Sequence, residues 1–191
     1  MEALFTSTLL VAIAEMGDKT QLLAIMLATR FRKPMPIIWG ILFATLANHA
    51  LAAWGGMVLA GVLEGRWFRY LIALSFFAMA FWALIPDKMD GDEDQRGVKN
   101  AGAFLTTLVA FFLVEMGDKT QVATIALGAR FHDVLWVTMG TTLGMMLANV
   151  PAVIFGEAIA KRIPMAIMHK VAAGLFLLLG LWALSDALGW A

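Results

Sequence analysis

Cysteine is absent from this 191-residue chain, which excludes disulfides, thiolate metal sites and cysteine nucleophiles together. Charge is scarce. Asp, Glu, Lys and Arg make up 15% of the residues, against about 25% in an ordinary soluble domain. Net charge is missing too, because 14 acidic residues balance 14 basic ones, and this argues against nucleic acid as a partner. The first residues, MEALFTSTLLVAIAE, lack the basic flank of a signal peptide and run into Glu15. They are expected to form a membrane segment that the mature protein retains.

What fills the chain is apolar. Hydrophobic residues reach 61%, well above the soluble norm of about 45–50%, and the mean hydropathy is +0.82. A core at this length cannot absorb so much apolar surface, so lipid is the expected solvent. Six stretches meet the ~18–20 residues needed to cross ~30 Å of hydrocarbon. They are roughly Leu4–Thr29, Pro36–Leu63, Phe68–Ile85, Ala103–Ala129, Val134–Ala160 and Val171–Leu188. Backbone groups in lipid must be satisfied within the segment, so all six are read as helices of an all-α integral membrane protein. DKMDGDEDQRGVKN, residues 87–100, reads as an acidic, exposed linker between residues 1–86 and 101–191.

The two halves match. EMGDKTQ occurs at Glu15–Gln21 and again at Glu115–Gln121, Arg30-Phe31 recurs as Arg130-Phe131, and Gly40 recurs as Gly140. Leu46-Ala47-Asn48 returns as Leu147-Ala148-Asn149 at an offset of 101, and Trp82-Ala83-Leu84 as Trp182-Ala183-Leu184 at 100. A three-helix unit has been duplicated. With an odd number of spans per unit, the second copy enters the membrane from the opposite face, giving inverted repeats with a site near the midplane. The basic residues set the orientation. Arg30, Arg32, Lys33, Lys88, Arg96, Lys99, Lys161, Arg162 and Lys170 fall on one side, and Arg66, Arg69 and Arg130 on the other. The richer side is expected in the cytoplasm with the linker, both termini outside, and a bacterial inner membrane as the location.

The motif is thermodynamically conspicuous. Counted from Leu4, Glu15 lies about 16 Å along its helix, near mid-bilayer. Each buried charge there costs roughly 2.5–3.5 kcal/mol, or about 15–20 kcal/mol for the two Glu, two Asp and two Lys of the motifs. That exceeds the ~5–15 kcal/mol net stability of a typical domain, so these groups must face one another, a cavity or an ion. Glu15 and Asp18 are three apart and are expected on one helical face, with Gln21 extending it. Gly17 is expected to loosen the helix, and a break there would free carbonyl oxygens as ligands. Glu115, Asp118 and Gln121 repeat the pattern, so the expectation is a cage of four carboxylates, Glu15, Asp18, Glu115 and Asp118, with amide oxygens nearby.

Four carboxylates and two lysines sum to −4 + 2 = −2 when all are ionised, which one divalent cation or two protons would neutralise. The expected activity is exchange of a divalent ion against protons. Oxygen donors suit Ca²⁺, Mn²⁺ and Mg²⁺, whereas the missing cysteine, and the lack of histidine in either motif, disfavour Zn²⁺ and Cu⁺. Met16 and Met116 read as packing. Asn48 and Asn149 read equally as ligands or as supports for them, and Thr20 and Thr120 stand beside the acids. Lys19 and Lys119 are counter-ions or coupling groups. His49, whose counterpart is Val150, reads as packing or as a proton relay. His132 and His169 are expected in solvated loops, and Glu64 and Glu157 at helix ends near water. Trp39, Trp67, Trp136 and Trp190 are expected at membrane interfaces.

Paired E-x-G-D-[KR]-[ST] motifs in a six-span chain resemble the Golgi-type calcium/manganese:cation antiporter family, which is placed near the lysine-exporter superfamily. The resemblance covers essentially the whole chain. It implies export of cations from the cytosol, chiefly manganese in bacteria, through acidic residues matching Glu15, Asp18, Glu115 and Asp118, with Lys19, Thr20, Lys119 and Thr120 completing the pattern. Neither copy departs from the motif. The implied protein is a transporter rather than an enzyme, with Mn²⁺ or Ca²⁺ as cargo, protons as counter-ions and no resident cofactor. A calcium/proton antiporter is the nearest alternative. An intramembrane aspartyl protease would need two unlike aspartates, and an exporter of organic solutes would need cationic groups, so both fit the sequence less well. A channel suits buried charge pairs less well than alternating access does.

Overall fold

Lipid offers no partner to a backbone N–H or C=O, and the computed structural model answers with helices. It describes residues 1–63, 65–85, 102–156 and 165–189. Among these are eight helices and no strand: α1 (Glu2–Ala14), α2 (Lys19–Phe31), α3 (Pro34–Val62), α4 (Arg66–Trp82), α5 (Ala103–Glu115), α6 (Lys119–Phe131), α7 (Val134–Phe155) and α8 (Met165–Leu188). The linker at 87–100, Glu64, Glu157 and Trp190 lie outside the described residues, as do Lys88, Arg96, Lys99, Lys161 and Arg162.

The helices α3, α7 and, over Ile167–Leu188, α8 are each long and apolar enough to cross a membrane. The apolar α1, α4 and α5 are shorter. The first and fourth stretches expected from the sequence are therefore not continuous rods. Each divides at its motif into two 13-residue helices, α1 with α2 and α5 with α6. Large apolar side chains stand exposed along the outside, including Phe81 at 74% and Leu178 at 63%. Water would not tolerate so extensive an apolar surface on a monomer, and lipid would.

Packing crosses between the halves. α1 lies on α7, α5 on α3, α3 on α7, and α4 on α8. Gly40 and Gly140 permit the first two contacts. A Cβ at Gly40 would sit 2.7 Å from Thr107 Cβ, and one at Gly140 2.6 Å from the Leu4 carbonyl oxygen. Backbones that close exclude lipid and gain dispersion contact, the main attraction open to helices in a membrane. Phe76, Met79 and Phe176 fill the α4–α8 seam. His169 lies half-buried within α8 rather than in a loop, whereas His132 ends α6, exposed, at φ 52°. Trp39 and Trp67 are about half exposed and Trp136 partly so.

Candidate functional site

The two motifs fold alike. Glu15 ends α1 and Glu115 ends α5; Asp18 precedes α2 and Asp118 precedes α6, both in extended conformation. Between them the chain turns through Gly17 at φ +90° and Gly117 at φ +81°, a region costly to any residue with a Cβ. Glu and Asp of each motif therefore stand on either side of a helix break and do not share one helical face. The break uses some of its own carbonyls: Glu15 C=O accepts from Asp18 N–H at 3.1 Å, and Glu115 C=O from Asp118 N–H at 3.2 Å.

The glutamines hold the break. Gln21 Oε1 accepts from Gly17 N–H at 3.0 Å, and Gln121 Oε1 from Gly117 N–H at 2.7 Å. Their amide oxygens thus point at backbone, and their nitrogens reach across the halves. Gln21 donates to the Ala148 carbonyl at 3.1 Å and Gln121 to Asn48 Oδ1 at 2.7 Å. Thr20 Oγ1 donates to Glu15 Oε2 and Thr120 Oγ1 to Glu115 Oε1, each across its own break. Thr120 also bonds Asp118 Oδ2, through its N–H at 3.3 Å and its hydroxyl at 3.2 Å.

Three carboxylates gather. Oxygens of Glu15, Glu115 and Asp118 lie within 4.8 Å of one another, all buried. Oε1 of Glu15 and Oε2 of Glu115 have no hydrogen-bond partner among the described residues. Buried carboxylate oxygens without a partner, close to other carboxylates, can be satisfied by one hard cation. Asp18 is equally buried and forms an ion pair with Lys119 at 3.0 Å, while Asp118 pairs with Lys19 at 3.3 Å. The lysines thus cross over, each neutralising the aspartate of the other motif.

The remaining expected residues divide. His49, fully buried on α3, brings Nε2 to 3.5 Å from Glu115 Oε1, and its Nδ1 has no partner among the described residues. Asn48 uses its oxygen on Gln121 and directs Nδ2 toward the Phe112 carbonyl at 3.5 Å. Asn149 donates to the Met145 carbonyl at 3.1 Å and leaves Oδ1 buried without a partner among the described residues. The matched asparagines are therefore not equivalent. Met16 is half-buried and Met116 is 57% exposed, in keeping with packing. Sequence reasoning missed the crossed ion pairs, although inverted copies of a Glu–Asp–Lys motif were the signal for them. It also treated Arg130 only as a repeat marker and as one of the basic residues that set the orientation. In the structure Arg130 lies 4.2 Å over the Trp182 ring and 3.8 Å from Asp186, which Arg69 approaches at 4.0 Å.

Comparison with known proteins gives the same duplication. A family model described as the divalent cation/proton antiporter GDT1 matches residues 3–91 and again 103–191. Over 182 residues the chain is 53% identical to a Vibrio cholerae protein named "Putative manganese exporter", covering 95% of this chain and 90% of that one. It is 27% identical over 218 residues to GDT1-like protein 5 of Arabidopsis thaliana, with 94% of each chain covered. GDT1-like protein 4 of the same plant is 28% identical over 216 residues, at 93% of each. No solved structure matches.

Proposed function

The chain belongs to the divalent cation/proton antiporter family GDT1, and on that premise we propose that it exports Mn²⁺ from the cytoplasm in exchange for protons. The manganese assignment is supported by the bacterial relative at 53% identity. The observation that carries the reading is the buried cluster of Glu15, Glu115 and Asp118, whose oxygens converge within 4.8 Å. Those three carboxylates are the ligands, and Asp18, held by Lys119, completes the charge of the site. Thr20 and Thr120 orient the two glutamates. Gln21, Gln121 and Asn48 fix the breaks, and Asn149 Oδ1 is an oxygen donor in reserve. His49 positions Glu115 and offers a route for protons. The cation is cargo, and no resident cofactor is required.

The geometry described fits inverted repeats, residues 1–86 and 101–191, each a broken span followed by two further spans. The exchange of α1 onto α7 and α5 onto α3 supports a two-fold axis in the membrane plane. The basic residues orient the linker and the far ends of α2 and α7 toward the cytoplasm and both termini outside, in a bacterial inner membrane. Ca²⁺ is the second candidate cargo, since carboxylate donors serve both ions. Aspartyl proteolysis fits poorly, because each aspartate it would use is already held by a lysine.

The test is Mn²⁺ flux in proteoliposomes with and without an imposed pH gradient. Uphill Mn²⁺ movement driven by the gradient, with proton counterflow, is expected, and it should be lost in Asp118→Asn. Flux indifferent to the gradient would refute the coupling, and full activity in that variant would refute the site.

A further inference from the structure

The crossed pairs are chemically identical and physically unequal. Lys119 and Asp18, 3.0 Å apart, have side chains 2% and 0% exposed. Lys19 and Asp118 are 3.3 Å apart, and the Lys19 side chain is 20% exposed. The carboxylate cluster follows the same division. Asp118, the partner of the more accessible lysine, is the aspartate that joins Glu15 and Glu115.

Helix packing gives a second, independent inequality. α6 is pressed onto α3: a Cβ at Gly56 would fall 2.0 Å from the Ile125 carbonyl oxygen, and one at Gly128 2.3 Å from that of Ala53. The far end of α6 is clasped by Asp186 and Trp182 of α8, with Arg69 of α4 alongside. A cavity of about 420 Å³ lined by Arg69, Arg130, His132 and Asp186 lies at that end. α2 is held less. Its counterpart of Gly128 is Ala28, and a Cβ at Gly156, 100 residues after Gly56, would meet nothing within 4 Å among the described residues, so the close glycine pair is not repeated. Its Arg30 is exposed and lies 5.3 Å from the ring of Phe31, its own neighbour in the helix.

Resting on the cation site proposed above, we infer that Lys19 and Lys119 are tethered surrogate cations that work in alternation. The lysine on the clamped helix keeps its aspartate. The lysine on the loose helix yields its aspartate to the arriving ion. In the conformation described, α6 is clamped and Lys119 holds Asp18, while Lys19 on α2 exchanges with the ion at Asp118. In the proposed orientation α2 runs toward the cytoplasm, so this is the loading state. After the helices exchange roles, Lys19 returns to Asp118 and displaces the ion, and Lys119 releases Asp18 toward the far side. Lys19 is thus a positioning residue whose return expels cargo. An ammonium 3.3 Å from a carboxylate competes directly with any cation for that oxygen.

The test is Mn²⁺ binding by calorimetry on the purified full chain, paired with flux in proteoliposomes, for Lys19→Met and Lys119→Met. Lys19→Met is expected to bind Mn²⁺ roughly tenfold more tightly, about 1.4 kcal/mol, while its net flux falls. Lys119→Met is expected not to tighten binding. Should the latter fail to fold, Lys119→Met combined with Asp18→Asn leaves that pair uncharged and serves in its place. Equal tightening in both lysine variants would mean simple loss of repulsion, and it would overturn alternation. Unchanged affinity in Lys19→Met would overturn it too. Asp118→Asn separates this failure from that of the cation site: normal Mn²⁺ binding there removes the site itself, whereas lost binding there with no effect of Lys19→Met removes only the alternation. Because the chain has no cysteine, Lys19→Cys and Lys119→Cys each introduce a single thiol. A membrane-impermeant maleimide added from the cytoplasmic side is expected to label the first and spare the second, and equal labelling would contradict the proposal.

Discussion

The segments 15–21 and 115–121 are the same seven residues in two different places. Each breaks a helix at glycine, closes the break with its glutamine and presents its glutamate to its own threonine. Around those shared bonds the surroundings diverge. Gln121 donates to the Asn48 side chain where Gln21 donates to the Ala148 carbonyl. Glu115 has His49 beside it, and the residue matching His49 in the other half is Val150. Lys119 is sealed, whereas Lys19 is partly accessible. Identical motifs supply the same groups, and their unlike neighbours make the two copies unequal.

The comparison breaks most completely at the acids. Replacing Glu15, Glu115 or Asp118 singly by its amide is expected to bring Mn²⁺ flux in proteoliposomes to the background of empty vesicles. Truncating a supporting hydroxyl should cost less. Thr20→Val and Thr120→Val are each expected to weaken Mn²⁺ binding about 10–100-fold, as loss of a partner that orients a ligand does. The Thr120 variant should suffer more, because that hydroxyl also serves Asp118. Calorimetric titration decides the order.

Helix packing provides the next contrast. Gly128→Ala drives a methyl group into the Ala53 backbone and should destabilise the protein by about 1–3 kcal/mol, whereas Ala28→Gly at the matching place should cost no more than about 1 kcal/mol. Thermal unfolding in detergent measures both. Smallest of all is the arginine pair. Arg130→Gln removes a ring contact and a long ion pair worth about 1 kcal/mol, and Arg30→Gln on its exposed site should be silent within error.

Much of this was legible in the residues. The apolar stretches, the duplication and the acidic motif followed from hydropathy and from the offset of 100. Gly17 is expected to loosen its helix, and Gly117 repeats it at the matching place of the second motif. The sequence could not show how each break redirects its neighbours. The three-residue spacing of Glu15 and Asp18 suggests one continuous face, yet those residues end one helix and begin another. The crossing of lysines was hidden as well, since a one-dimensional repeat pairs each lysine most simply with the acid beside it. Asn48 and Asn149 looked interchangeable, and only tertiary contacts distinguish a satisfied amide oxygen from an orphaned one. His169 was misplaced because α8 begins earlier than the apolar run does.

The crossed ion pairs also bear on biogenesis. During synthesis the first half emerges before the second, and Asp18 then lacks the ammonium that neutralises it in the finished protein. Until α6 arrives with Lys119, the first motif has reason to linger near the headgroups or beside the insertion machinery. The second motif meets no such delay, because Lys19 is already waiting for Asp118. Chain order therefore gives the entry of α6 against α3 a role independent of transport: it brings Lys119 to Asp18 and so neutralises the first half before α7 and α8 follow.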